Sequence, residues 1–166
     1  MKQATPSPFA GQKSFSVRPI QYVDLVVDGR PEPKHRSRLD PESVRAWEED
    51  LKAIKTLFVG TLIAKAAGYG ISVTTEEGSA PFAIQPTVSR IETGYYRIPA
   101  FNAVTVIELT FQILGSDGTV LDEVFVINKF PWDITNPSTG GRLRKVAEFH
   151  GISVASYLSS RTSSGP

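Results

Sequence analysis

The 166-residue sequence contains no cysteine, which excludes disulfides, thiolate nucleophiles and cysteine-ligated zinc. It also lacks an apolar run of the roughly 18 residues that a membrane-spanning helix requires. An excess of either charge is missing too. Lysines and arginines number 18 against 17 acidic residues, so there is no global field to draw the chain onto nucleic acid or an anionic membrane. Histidine is scarce. His35 and His150 are the two copies, and neither has a second ligand at metal-binding spacing, so no metal site is expected.

The motifs of common chemistries are absent as well. Gly140-Gly141-Arg142 has neither a leading strand nor a lysine followed by serine or threonine, so it is no phosphate-binding loop. No nucleophile elbow occurs. Asp24 and Asp28 stand close enough in sequence to suggest an acid pair or a hard-cation site, but such spacing arises readily by chance. With no compact constellation of catalytic side chains, the expected class is non-enzymatic, with no cofactor. The start of the chain lacks the basic, apolar, small-residue order of a signal peptide. Met1-Lys2-Gln3-Ala4-Thr5-Pro6-Ser7-Pro8 reads instead as a linker from which a signal has been removed.

What is present is a well-marked set of strands and helices. Between Val104 and Leu114 the residues Ile107, Leu109, Phe111 and Ile113 alternate with Glu108, Thr110 and Gln112. This period of two marks a half-buried strand. Gly115-Ser116-Asp117-Gly118 follows and predicts a tight turn whose Asp and Gly take positive backbone angles, with a returning strand over Val120–Ile127. An earlier strand is predicted over Phe82–Ile91, where Pro86 implies a sheet edge or a bulge, since proline cannot donate to a ladder. A first strand is expected near Tyr22–Val27, and a short one at Ile71 and Val73.

A long helix is predicted from Asp40. Asp40 suits an N-cap, Pro41 the first helical position and Glu42 the positive end of the helix dipole. Val44, Trp47, Leu51, Ile54, Phe58, Leu62 and Ala66 then form one apolar stripe as far as Gly68, with a kink conceivable near Gly60. A second helix is predicted over Thr139–Leu158, with Gly151 weakening it and a break near His150 as the alternative. Together these elements predict an α+β fold: a mixed or mainly antiparallel sheet of about four or five strands with two helices packed on one face.

One domain is expected over residues 14–158, preceded by a flexible tether over 1–13 and followed by a disordered tail over 159–166. The basic stretch Arg30–Arg38 reads as a solvated loop or as a patch for an acidic partner. Two loops are unusually aromatic. Tyr95, Tyr96, Arg97 and Phe101 in one, and Trp132 in the other, form a candidate partner-binding surface or a cover for the open end of the core. An alternative is a ligand or enzymatic pocket near Tyr95, Tyr96, Arg97 and Trp132, with Asp24, Asp28 or His150 as its polar groups.

The helix ending Ala66-Ala67-Gly68-Tyr69, the stretch with Val88, Arg90, Ile91 and Gly94, and above all Gln112-Ile113-Leu114-Gly115-Ser116-Asp117-Gly118-Thr119-Val120-Leu121 carry a resemblance. They resemble a sheet-and-helix domain of bacterial envelope lipoproteins. Its members include the curli-secretion channel lipoproteins, the amino-terminal domain of the Tol-system propeller protein, the penicillin-binding-protein activator lipoproteins and a lipoprotein family carrying a domain-of-unknown-function label. The resemblance spans about Val23–Leu158 and rests on a packing and turn pattern. It implies a periplasmic domain that binds an envelope protein or assembles with its own copies, attached to the outer membrane only through a lipid anchor absent from this chain. The lipid-bearing cysteine of those proteins is missing here, and Pro86 interrupts a strand that in them runs unbroken.

Overall fold

The computed structural model describes residues 7–94, 104–131 and 138–163. Its strands are β1 (Ser14–Val17), β2 (Gln21–Val27), β3 (Arg30–Pro31), β4 (Ser72–Thr74), β5 (Ala83–Glu92), β6 (Val104–Leu114) and β7 (Val120–Pro131). Helices α1 (Glu32–Arg36), α2 (Pro41–Gly68) and α3 (Thr139–Thr162) complete the described elements. The class is α+β, as the residue patterns require. The sheet has seven strands rather than four or five: β1 is buried along most of its four residues and shows no alternation, and β3 has only two residues.

The sheet is mixed. β7, β6 and β5 form an antiparallel meander, and both β1 and β2 run parallel to β5 along its other side. β1 covers the first part of β5 and β2 the rest; β4 then pairs with β1 and β3 with β2. This arrangement explains Pro86. It lies in a central strand, paired with Phe111, and not at an edge as expected. The carbonyls of Phe82 and Ile84 accept from the Ser16 and Arg18 amides. By alternation the Pro86 nitrogen points to the same side, where it meets the break at Pro19 and Ile20 between β1 and β2. No ladder bond is demanded there. The register shift in β5 falls later, between Val88 and Arg90.

The hairpin joining β6 and β7 forms at the predicted place. Gly118 alone takes a positive φ, +82°. Asp117 contributes through its carboxylate, which accepts from the Thr119 amide and hydroxyl, and that bonding holds it below the usual carboxylate range. β7 continues to Pro131, so the first half of the second aromatic loop is strand.

Helix α2 starts as predicted, with the Asp40 carboxylate accepting from the Ser43 amide at 2.8 Å. It runs as one helix through Gly60. Trp47, Ile54, Phe58, Leu62 and Ala66 are its buried residues; of the predicted stripe, Val44 and Leu51 are half-buried. Helix α3, capped by Ser138, is likewise unbroken across Gly151. Gly151 is there because α2 crosses at that point: a Cβ would sit 2.8 Å from the Phe58 carbonyl oxygen. The two long helices pack side by side on the sheet face that presents Ile84, Val88, Ile107, Leu109, Phe111 and Ile113.

Residues 7–13 and 159–163 are held more firmly than their composition implies. Phe9, the one large apolar residue of the expected tether, is fully buried. It meets Phe15 edge-on at 6.0 Å, and the Gly11 amide donates to the Thr162 carbonyl at 2.9 Å. Residues 7–13 therefore lie on the domain. At the other end α3 extends through Thr162, into the expected tail. The basic stretch is not a plain loop either: it forms β3 and α1. Arg36 pairs with Glu48, and the Trp47 indole N–H donates to Glu32 at 3.0 Å.

Candidate functional site

The predicted partner-binding residues Tyr95, Tyr96, Arg97, Phe101 and Trp132 lie outside the described residues. Their anchor points are described, and these meet at one end of the sheet. Val104 pairs with Pro131, and Arg142 on the first turns of α3 reaches back to Gly94.

Arg142 organises this end. It is 2% exposed and donates to the Gly94 carbonyl at 3.0 Å, the Thr93 carbonyl at 3.3 Å and the Thr105 hydroxyl at 2.9 Å. Thr105 donates in turn to the Thr93 carbonyl. Both Asp28 oxygens take the Thr93 amide and hydroxyl, at 2.8 and 2.7 Å. Burial lowers the Arg142 pKa, but a guanidinium stays charged in a protein. Backbone carbonyls turned inward at a strand end need donors, and Arg142 supplies several from one planar group. Changing Arg142 to alanine is expected to cost about 3 kcal/mol, because two inward carbonyls lose a donor and a side-chain-sized void opens. Urea denaturation of the two proteins checks this; a loss within experimental error of zero would refute the role.

The polar groups of the alternative pocket do not converge. His150 is 1% exposed and inside the core. Its Nε2 lies 2.9 Å from the Ile107 carbonyl oxygen and its Nδ1 3.1 Å from Asn128 Nδ2. Burial pushes its pKa down to about 4, so it is neutral, donating from Nε2 and accepting at Nδ1. Asp28 is committed to Thr93. Asp24, with a left-handed φ of +47° at the irregularity in β2, lines a different space. That space is a cleft of about 760 Å³ between β2 and helices α1 and α2, lined by Tyr22, Leu25, Val26, Leu51 and Arg36 among others. The Tyr22 hydroxyl donates to the Leu51 carbonyl at 3.0 Å, and burial raises its pKa. Among the described residues no three His, Asp or Glu side chains gather to hold a metal ion. No described helix is long and apolar enough to cross a membrane.

A different surface stands out, on the three strands of the meander. The sheet face away from the helices carries Gln85, Thr87, Arg90 and Glu92 on β5, Val106, Glu108, Thr110 and Gln112 on β6, and Glu123, Phe125, Ile127 and Lys129 on β7. All are half-buried or exposed. Arg90 ties two of these rows through Glu92 and Glu108. Phe125 is 55% and Ile127 45% exposed. Apolar side chains of that size left in water on an edge strand mark an interaction surface better than scattered single ones do. Among the described residues β7 pairs with β6 alone, so its twelve residues form a long open edge. Period-two alternation in Val120–Ile127 locates the strand; it does not reveal that the strand lies at the sheet edge.

Among the described residues, fold and surface define an α+β domain with its two long helices on one sheet face and one long edge strand. No known family profile and no curated protein matches the sequence. Solved structures do match. The chain is similar to the PelC dodecamer from Paraburkholderia phytofirmans, at 15% identity over 97% of this chain and 96% of that one, with a TM-score of 0.50. It is also similar to a protein of the DUF330 family from Xanthomonas campestris, at 14% identity over 97% and 93% of the two chains, with a TM-score of 0.55. At these identities what is shared is the fold.

Proposed function

We propose that this chain is a non-enzymatic, envelope lipoprotein-type domain that works by assembling with its own copies or by binding a protein partner. The observation that carries this reading is the free surface of the sheet. Both long helices lie on one face, and the other face and the β7 edge leave Phe125 and Ile127 in solvent. The fold is one that PelC uses as a dodecamer, which supports self-assembly as the first form of the reading. The periplasmic location and outer-membrane attachment rest on the sequence resemblance to envelope lipoproteins. The aromatic residues Tyr95, Tyr96, Arg97, Phe101 and Trp132 remain candidates for contacting an envelope partner.

Light scattering on the purified protein over a range of concentrations tests self-assembly. A mass rising to a defined multiple of the 18.1 kDa chain is expected. A strict monomer that also fails to bind envelope proteins removes the reading. The cleft beside β2 favours one alternative, a small-ligand-binding domain. Its occupant would lie against Tyr22 and Leu51.

A further inference from the structure

We infer that a second copy of this chain docks edge to edge on β7, pairing the two β7 strands antiparallel about Val126. This rests on the self-assembly reading and adds to it the surface, the register and the residues. The backbone directions come first. Since Phe82 and Ile84 turn their carbonyls to β1, alternation turns Ala83, Gln85 and Thr87 to β6. Their partners Leu114, Gln112 and Thr110 therefore face β5, and Leu109 and Phe111 face β7. Val124 and Val126, opposite those two, spend their backbone groups on β6. The backbone N–H and C=O groups of Glu123, Phe125, Ile127 and Lys129 point to the open side.

The same four residues carry the exposed side chains of the outer face. In a two-fold antiparallel pair centred on Val126, Glu123 lies opposite the second copy's Lys129, and Phe125 opposite its Ile127. Symmetry repeats both pairs. Opposite charges and aromatic against β-branched side chains are the favourable cross-strand pairs. Slipping the register by two residues in either direction sets Glu123 against Ile127 or against Pro131, and the charge match is lost. Edge strands commonly deter pairing with charges. Here the two signs sit symmetrically about the strand centre, so the same charges select one register. Among the described residues Lys129 has no ion-pair partner. Glu123 accepts from Gln112 at 2.6 Å, which holds it on this face. The opposite sheet margin is less suited, since β3 and β4 have two and three residues.

Sedimentation of the whole chain tests the interface. Lys129→Glu places two Glu pairs across it and is expected to weaken association roughly tenfold. The double variant Glu123→Lys, Lys129→Glu restores opposite charges and is expected to recover association. Ile127→Pro removes an N–H that faces outward, so circular dichroism should stay native while association is lost. If the wild type assembles but these variants assemble equally well, or the double variant gives no rescue, the β7 interface is refuted and self-assembly stands. A wild type that stays monomeric at high micromolar concentration, or that pairs only with another protein's strand, overturns the second-copy proposal altogether.

Discussion

Gly151→Val is expected to destabilise the domain by about 3 kcal/mol, although helix propensity favours the change. The α2 and α3 backbones touch at this residue. A Cβ at position 151 would lie 2.8 Å from the Phe58 carbonyl oxygen, 2.9 Å from the Leu62 nitrogen and 2.9 Å from the Thr61 Cβ. Two of those atoms are α2 backbone, which cannot swing aside as a side chain would. Relief requires the helices to part, and Phe58, Leu62, Val154 and Ala155, all fully buried, lose their close packing together. Even Gly151→Ala should destabilise. Gly60 provides the control. It lies in the middle of α2, and a Cβ there would have nothing within 4 Å, so Gly60→Ala should stabilise by roughly 0.5–1 kcal/mol. Denaturant midpoints for the variants decide the matter. Gly151→Ala behaving like Gly60→Ala would mean that the helices do not meet as described.

Acid should weaken the fold by roughly 3 kcal/mol through His150 alone. In the folded protein its pKa is pushed down to about 4 by burial, against an ordinary 6.5. The unfolded chain therefore takes up a proton at a pH where the folded chain still refuses one. The sign follows: the contribution is complete above pH 6.5 and declines as pH falls to about 4, at about 1.4 kcal/mol per pH unit. The Ile107 carbonyl opposes the shift, and the Asn128 amide that meets Nδ1 also donates to the Ser153 hydroxyl. His150→Gln keeps a donor within reach of Ile107 and cannot titrate. Its stability at neutral pH should be lower, and its loss between pH 6.5 and 4 should be shallower than that of the wild type. Equal acid slopes in the two proteins would exclude His150 as the source.

Local patterns determined most of the secondary structure. Alternation places β6, and Asp40-Pro41-Glu42 starts α2, because ladders and caps are satisfied by residues near in sequence. The Asp117-Gly118 turn belongs with them, although its aspartate works through its carboxylate and not through a left-handed backbone. What sequence proximity could not supply was any neighbour relation. Pro86 reads as a residue of an edge or a bulge and proves central and regularly paired, since the break at Pro19 and Ile20 that excuses its missing N–H is more than 60 positions away. Phe9 reads as part of a tether and proves to be core, because Phe15 and Phe82 enclose it only after folding.

Gly151 shows the same division. Its own helix counts it as a weakness, and only the crossing of α2 makes it necessary. The candidate site divides likewise. The aromatic loops are conspicuous in composition, whereas the β7 surface is hidden in an ordinary strand pattern. Whether Phe125 and Ile127 face a neighbour or water depends on strand order. The sequence alone determined where the long strands and the two long helices lie and which of their faces are apolar, for those are matters of local geometry. Tertiary structure decided which long strand lies at the sheet edge, since that depends on contacts between segments far apart in the chain.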